Sequence, residues 1–270
     1  MYKRYHIPKQ FNILAMYTFF KQTFNSSYSF EGEEHNFWEV VCVTHGSVGA
    51  AVGSELYVLN EGRAIVHNPG EFHNLWSESK DAQAIIFSFD GILPDDKKRI
   101  YTMSEESFVE IISIFEDATN CFVIDGQNIL GIQNGKERAS EKVIKRLELF
   151  MMDLMANENS DVFGIQTKSA INYMNIVSVL SHNTDKNIQI KDIARMCNMS
   201  ESNVKKIFKK YSGVGIMHYF NSLKMKKAQS LLESGYSVGE AAEALGFTDQ
   251  NYFSAAFKKA VGKPPIKYKR

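Results

Sequence analysis

The stretch SESNVKKIFKKYSG, residues 200–213, returns in altered form as DQNYFSAAFKKAVG, residues 249–262. In both copies apolar side chains recur at intervals of three and four residues behind a capping residue, which predicts a helix with one buried face. The opposite face of each copy is polar and carries lysines. The predicted caps are Ser200 and Asp249, and the predicted buried stripes are Val204, Ile207, Phe208 and Tyr211, and Phe253, Ala256, Phe257 and Ala260.

The segments before these helices also repeat. IKDIARMCNMS, from residue 190, matches VGEAAEALGFTD, from residue 238, at an offset of 48, whereas the helices that follow match at 49. One residue has therefore been added in the second turn. Each copy is predicted to be a short helix, a turn and a second helix, with a small alanine (Ala194 or Ala242) at the close approach. This is the helix-turn-helix plan.

Between the two copies, IMHYFNSLKMKKAQSLLESG predicts one continuous helix that ends at Gly235. Such a helix would hold the two motifs at a fixed separation. Two reading helices on a rigid spacer can address successive major grooves on one face of DNA, roughly 34 Å apart.

The charges of the chain are segregated, although its formal net charge is zero. Residues 1–168 hold 15 Lys and Arg against 24 Asp and Glu, and residues 169–270 hold 16 against 7. An acidic domain of net −9 therefore precedes a basic one of net +9. A lysine face on a single helix is often only a solvated surface. Two matched copies in a basic domain instead favour binding to DNA, because lysines release counterions from phosphates and Gln and Asn pair with adenine edges.

The last hundred residues resemble the AraC/XylS-type DNA-binding domain. The resemblance implies transcription regulation through asymmetric DNA sites and, together with the lysine faces, gives a set of expected DNA contacts. Two departures from the family pattern are Ala255, where YFSR usually has arginine, and Lys224, where arginine is frequent. The resemblance is carried by Ile190, Ala194, Ser200, FKKYSG, Tyr219, Ala228, LLESG, GFTDQNYFSAAFKKAVGKPP and Tyr268. The expected DNA contacts are Ser202, Asn203, Lys205, Lys206, Lys209, Lys224, Gln250, Asn251, Ser254 and Lys258.

The first part of the chain has a different pattern. Residues 11–90 contain short alternating runs rich in β-branched and aromatic residues between turn signals, which predicts an antiparallel barrel or sandwich. Amphipathic helices are predicted over residues 104–119, starting at Ser104, and over 136–157. The apolar stripe of the second helix is expected to pack on the barrel or on the neighbouring helix, with a dimer contact as the alternative.

The predicted fold class is α+β multidomain. We expect a cupin-like sensory domain at 1–100, a helical dimerisation or linker region at 101–160, and the double helix-turn-helix domain at 169–270, with a polar linker near 160–168. The three cysteines have neither disulfide nor zinc spacing. No apolar segment predicts a signal peptide or a membrane helix, so a cytoplasmic, nucleoid-associated protein is expected.

The sequence EGRAIVHNPGEFHNL resembles the second conserved motif of cupins, and HNFWE occupies the place of the first. In metal-binding cupins these motifs supply three histidines and a glutamate. The resemblance leaves His35, Glu39 and His73 as candidate ligands, because Phe37 takes the place of the second histidine. We therefore expect no metal and no other cofactor.

The resemblance to AraC-type regulators implies a sensory barrel that binds a small molecule, often a sugar, without metal. Indole faces and a guanidinium suit such ligands, so Trp38, Arg63, His73 and Trp76 are predicted to line the pocket. The leading hypothesis is an effector-controlled transcription regulator, not an enzyme. The alternatives are a ligand-independent regulator whose barrel only dimerises, and a metal-dependent cupin enzyme fused to a DNA-binding domain. Expected partners are double-stranded DNA, a second copy of the chain, the effector and RNA polymerase.

Overall fold

The computed structural model describes residues 4–5, 7–25, 28, 30, 32–94, 98–156 and 167–268. These residues form two compact units. The first contains residues 1–52 and 56–165, and the second contains residues 53–55 and 166–270. The sheets and the helices that follow them thus share one unit. The predicted linker at 160–168 lies almost wholly outside the described residues, and the predicted domain bounds stay predictions.

The first unit contains two antiparallel sheets. The strands are β1 (Asn12–Phe24), β2 (Trp38–His45), β3 (Ser47–Val52), β4 (Glu55–Asn60), β5 (Arg63–His67), β6 (His73–Ser77), β7 (Ala82–Ile92), β8 (Ile100–Thr102), β9 (Phe122–Asp125) and β10 (Asn128–Ile132). The large sheet has the order β8-β5-β2-β7-β1-β10-β9, and the small sheet has the order β4-β3-β6. This arrangement confirms the prediction of a sheet-rich first domain.

Strand β2 is buried on both faces. Val41 and Val43 belong to the core between the two sheets, whereas Val40 and Cys42 belong to a second core between the large sheet and the helices. Because side chains alternate along a strand, odd-numbered residues of β2 face the small sheet. We call this side of the large sheet its inner face. The sheet is therefore sandwiched between two apolar layers.

Two helices cover the outer face of the large sheet: α1 (Glu105–Thr119) and α2 (Glu137–Ala156). The Ser104 side chain accepts a hydrogen bond from the Ser107 amide at 3.1 Å, which confirms the predicted start of α1. The apolar stripe of α2, including Leu147 and Phe150, is buried in the outer core with side chains of α1 and of the sheet. This confirms the packing prediction and leaves that stripe unavailable for a dimer contact.

The second unit is helical. Its helices are α3 (Lys168–His182), α4 (Ile190–Met196), α5 (Glu201–Ser212), α6 (Ile216–Glu233), α7 (Val238–Ala244) and α8 (Gln250–Val261), followed by a short 3-10 turn at Pro265–Lys267. Ser200 and Asp249 cap α5 and α8 with their side chains, as predicted. In the described part of the chain, no helix combines the length and apolar character that crossing a membrane requires.

The repeat seen in the sequence is also a repeat of backbone geometry. The turn after α4 has Asn198 at φ 54°, and the turn after α7 has Gly246 at φ 70°. Helices α5 and α8 both end on a glycine in the left-handed conformation, Gly213 and Gly262. One position of the predicted stripes is wrong: Ala260 is exposed, because it lies in the last turn of α8, beyond the core around Phe253 and Phe257.

Candidate DNA interface and buried polar cluster

Helix α5 presents a polar face that is supported from behind. Its stripe of Val204, Ile207, Phe208 and Tyr211 is buried, and the Phe208 ring contacts the rings of Tyr173 and Tyr219 on neighbouring helices. This packing fixes the orientation of the helix. The predicted contacts Ser202, Asn203, Lys205 and Lys206 are all exposed on the opposite side.

Helix α8 has the same support and a weaker charge. The Asp249 carboxylate accepts hydrogen bonds from the amides of Asn251 and Tyr252, which anchors the first turn. Gln250, Asn251, Ala255 and Lys258 are exposed, and Ser254 is half-buried. Since Ala255 is exposed between these polar residues, the face lacks a long cationic side chain at its centre.

Lys209 is exposed on α5, and its ammonium donates a hydrogen bond to the Gly213 carbonyl at the helix end. The corresponding Lys258 lies at the same place in α8. A cation at a helix C-terminus stabilises the helix dipole, so the position has a structural role beside the predicted DNA contact.

Lys224 is buried, with 4% of its surface exposed. Its ammonium donates hydrogen bonds to the carbonyls of Lys186, at 2.6 Å, and Leu245, at 2.9 Å. It also lies 5.1 Å from the ring centroids of Phe220 and Phe247. Burial lowers the pKa of this ammonium. The prediction that Lys224 contacts DNA is therefore wrong: it ties α6 to the loop before α4 and to the end of α7.

The four residues predicted to line an effector pocket do not come together. Trp38 lies on the outer face of the large sheet, opposite Phe89 and against the helices. Trp76 lies on the outer face of the small sheet, where its indole covers Gly49 and donates to Glu78 Oε1 at 2.5 Å. The prediction of a shared pocket is wrong for these two residues, because they occupy the outward positions of their strands.

Arg63 and His73 do point to the space between the sheets, since they share the faces of Ile65 and Leu75 in the inner core. They are nevertheless separated. Arg63 begins β5 and His67 ends it, so the two lie about 13 Å apart along the strand, and His73 is stacked on His67. Buried apolar side chains fill the inner core between these positions.

One end of the inner face is polar. Glu39 on β2 lies opposite His67 on β5 and Ser88 on β7. Ser88 in turn lies opposite Thr18 on β1, with the two hydroxyl oxygens 2.6 Å apart. Four adjacent strands therefore place a row of polar side chains at the same end of the sheet.

A cluster of four side chains closes this end, and we call it the acid–histidine cluster: Glu33, His35, Glu39 and His73. His73 Nε2 lies 3.2 Å from Glu39 Oε1 and 3.7 Å from Glu33 Oε1. His35 Nε2 lies 3.7 Å from Glu39 Oε2. Glu33 and His73 also exchange two backbone hydrogen bonds of 2.9 Å, which join the segment before β2 to the start of β6.

Both histidines of the cluster are oriented by the backbone. His35 Nδ1 lies 3.0 Å from the Phe37 carbonyl, and His73 Nδ1 lies 2.9 Å from the Glu71 carbonyl. Because a carbonyl only accepts, Nδ1 carries the proton in each ring. The Nε2 atoms of both rings are therefore directed at the carboxylates.

The cluster shifts the proton affinities of its members. Burial alone would raise the pKa of Glu39, but the nearby imidazoles of His35 and His73 lower it far below its usual range. Burial opposes the charged form of His73, yet Glu33 and Glu39 raise its pKa to about 10. Burial, with the adjacent His73, lowers the pKa of His67 well below its usual value. His67 is therefore neutral, and its ring stacks on His73 at 4.1 Å.

The sequence patterns did not predict two residues of this region, Glu33 and His67. Glu33 completes the cluster, whereas Phe37, taken as the lost ligand position, stacks on His35 at 3.9 Å and on Tyr17 at 4.1 Å. Phe37 therefore offers no ligand atom at this place. Strand alternation from Ile65 could have placed His67 on the inner face. Glu33 had no comparable signal, because it lies in an isolated bridge outside the strands.

Comparisons with known proteins match both units. A helix-turn-helix domain model matches residues 193–270, and a model described as an AraC-like ligand binding domain matches residues 23–98. The Msm operon regulatory protein of Streptococcus mutans is 36% identical over 100 residues, which is 36% of each chain. The chain therefore spans about a third of the length of that relative.

Two further proteins are similar to this chain. The HTH-type transcriptional activator RhaR of Mannheimia succiniciproducens is 20% identical over 250 residues, covering 87% of this chain and 85% of that protein. The C-terminal domain of AraT, a response regulator from Geobacillus stearothermophilus, is 29% identical with a TM-score of 0.35, covering 37% of this chain and 84% of that one.

The supported α5 and α8, together with the two matched domain models, define a DNA-binding protein that carries a separate domain of a ligand-binding type. Within that class, an AraC-like ligand binding domain precedes the helix-turn-helix domain. The chain therefore has the domain composition of AraC-type DNA-binding transcription regulators.

Proposed function

We propose that this regulator reads one DNA duplex with both α5 and α8, and that an effector bound in the sheet-rich domain controls its occupancy of that DNA. The observation that supports this proposal most directly is that α5 and α8 belong to one compact unit, in which buried Lys224 connects their two motifs. Two helices held in this way can address neighbouring major-groove segments of an asymmetric site.

The two helices have unequal roles in this proposal. On α5, Ser202, Asn203, Lys205 and Lys206 contact base edges and phosphates. On α8, Gln250 and Asn251 read bases through amide hydrogen bonds, with Ser254 and Lys258 near the backbone. Because α5 presents two lysines where α8 presents Ser254 and Ala255, α5 supplies more of the salt-dependent affinity.

The effector is expected to bind at the polar end between the sheets. An effector shifts the occupancy of DNA only if it binds two arrangements of the protein with different affinities. A sugar would use an indole face, but Trp38 and Trp76 both lie on outer faces. A second copy of the chain and RNA polymerase are the further partners we propose, as expected of an AraC-type regulator.

The test is to titrate the full chain onto a labelled duplex that covers the DNA upstream of its own gene, at several salt concentrations. We expect log K to fall linearly with log salt concentration as lysines displace counterions. Lys206→Ala should weaken binding by about 1–3 kcal/mol.

The matched control is Lys80→Ala, which removes the same charge from an exposed position of the other unit and should leave binding unchanged. A flat salt plot, or equal losses for the two variants, would contradict the proposed interface.

A further inference from the structure

We propose that the acid–histidine cluster of Glu33, His35, Glu39 and His73 binds a divalent first-row transition-metal ion, and that this ion is the effector. Binding of the metal stands on the geometry of the cluster alone. The role as effector also rests on the proposed function, since it requires that the sheet-rich domain control binding to DNA.

The distances within the cluster fit a single ion. For metal–ligand bonds of about 2.0–2.1 Å, neighbouring ligand atoms of a tetrahedral site lie about 3.3 Å apart. The three nitrogen–oxygen separations in the cluster are 3.2, 3.7 and 3.7 Å. One ligand atom from each of the four residues lies within 4.8 Å of the others. Shifts of a few tenths of an ångström would bring these three separations to the tetrahedral spacing, and ligand atoms as far apart as 4.8 Å would have to approach by about 1.5 Å.

The histidine tautomers also fit. Histidines that bind metals usually donate their other ring N–H to a carbonyl or carboxylate, which fixes the ring and frees the lone pair. His35 and His73 both do so, through the carbonyls of Phe37 and Glu71. The two lone pairs on Nε2 then converge on the carboxylates of Glu33 and Glu39.

The charge and chemistry of the ligands indicate the class of ion. Two carboxylates balance a dication, so binding leaves no net charge in a region where Glu39 and His73 are buried. Two imidazoles make the site unsuited to Mg²⁺ or Ca²⁺, which prefer oxygen alone. The absence of sulfur from this set disfavours Cu⁺. A mixed nitrogen and oxygen set suits Zn²⁺, Mn²⁺ or Fe²⁺.

A proton on His73 is the competing explanation, because an imidazolium would also pair with Glu39. It would leave His35 unexplained. His35 Nε2 is buried and has no hydrogen-bond partner, although it lies 3.7 Å from a Glu39 oxygen. A buried polar atom without a partner is destabilising. One metal ion would satisfy the Nε2 atoms of both histidines, whereas one proton satisfies only one.

The site has a path to solvent and a means of acting on the fold. The Glu33 side chain is 45% exposed, so an ion can reach the cluster from this side. Glu33 and His35 precede β2, Glu39 lies in β2, and His73 starts β6. A bound ion would therefore join the segment before β2 to both sheets.

The experiment uses the full chain, stripped with a chelator and titrated with Zn²⁺ by calorimetry. We expect one Zn²⁺ per chain, and visible d–d absorption when Co²⁺ replaces it. Glu33→Gln and His35→Ala should each weaken Zn²⁺ binding by at least tenfold, since even loss of a residue outside the metal's own ligands costs about 10–100-fold. Glu33 is partly exposed, so its variant should fold normally.

The matched control is His45→Ala, because His45 is an exposed histidine 3.3 Å from a carboxylate oxygen of Glu61. It should bind Zn²⁺ like the unmodified chain. The site is overturned if stripped protein binds no Zn²⁺ or Co²⁺, if neither ligand variant weakens binding, or if the control weakens it equally.

Affinity for DNA, measured with and without saturating Zn²⁺, tests the effector role separately. A change of at least threefold that is lost in Glu33→Gln supports it. Stoichiometric binding of Zn²⁺ with unchanged affinity for DNA overturns the effector role and leaves the site. Failure to bind DNA in either state contradicts the proposed function, whereas the result of the Zn²⁺ titration still decides the site.

Discussion

The two units of this chain place their charges in opposite ways. The sheet-rich unit carries a net excess of acidic residues and buries Glu39, His67 and His73 together at one end of its inner face. The helical unit is basic and displays Lys205 and Lys206 on a supported helix. Exposed charges act on partners at a distance and are screened by salt, whereas buried charges are sensitive to each lost contact. The exposed lysines of the helical unit suit a phosphate backbone, and the buried charges of the sheet-rich unit suit a small charged ligand.

The largest expected effect tests the buried side of this comparison. Glu39→Ala removes the main partner of His73 and should lower the free energy of unfolding by about 3–5 kcal/mol, because a buried charge is left without compensation. Urea unfolding of the metal-stripped chain measures it. Glu61→Ala removes the same group from an exposed pair with His45, and the expected loss is below about 1 kcal/mol. Similar losses would show that burial does not distinguish the two pairs.

The second prediction concerns the buried charge of the basic unit. Lys224→Met keeps the apolar stem but leaves the carbonyls of Lys186 and Leu245 without their donor. We expect a loss of about 1–3 kcal/mol in the free energy of unfolding. Lys205→Met, at an exposed position of α5, should change stability by no more than about 0.5 kcal/mol. Equal changes in the free energy of unfolding for the two variants would show that the buried Lys224 stabilises the unit no more than an exposed lysine does.

A third prediction would make the two reading helices more alike. Ala255→Arg adds a cation to the centre of the exposed face of α8, where the family pattern usually has one. DNA binding should tighten by about 0.5–1 kcal/mol, and the slope of log K against log salt should steepen by about 0.9. Ala260→Arg adds the same charge in the last turn of α8, and a smaller change is expected there. Salt titrations of both variants decide whether the two positions differ.

The smallest expected effect concerns an exposed acid of the sheet-rich unit. Arg146 donates a hydrogen bond to Glu110 at 2.7 Å and lowers the pKa of that carboxyl. The folded-state pKa is below the unfolded one, so the pair stabilises the fold above the unfolded value of about 4.3. That stability is lost as the pH falls through the folded-state pKa. Because the Glu110 side chain is 41% exposed, the loss should be below about 1 kcal/mol.

Unfolding measured at pH 6 and at pH 3 should show a loss of stability on acidification, and Glu110→Gln should reduce that loss by less than about 1 kcal/mol. Glu141→Gln changes another exposed acid, on α2, and should keep the dependence. An equal loss in Glu110→Gln and in the unmodified chain would show that the Glu110–Arg146 pair contributes nothing to the pH dependence.

The sequence by itself determined the helical unit almost completely. Helix caps, apolar stripes and left-handed turns depend on residues that are close in sequence. One segment is therefore enough to predict them, and its repeat supports the prediction a second time. Ser200 and Asp249 therefore appear in their predicted roles. Lys224 does not, because its carbonyl partners come from other parts of the chain, at Lys186 and Leu245.

Only the tertiary structure decided the sheet-rich unit's candidate site. Alternation assigns a side chain to a face, but which face is inner depends on how the strands pair and where the helices pack. That choice placed Trp38 and Trp76 outside and His67 inside. Glu33 meets His73 through backbone pairing across 40 residues of chain. Local periodicity cannot predict this contact, because it forms only when the two sheets pack around a shared core.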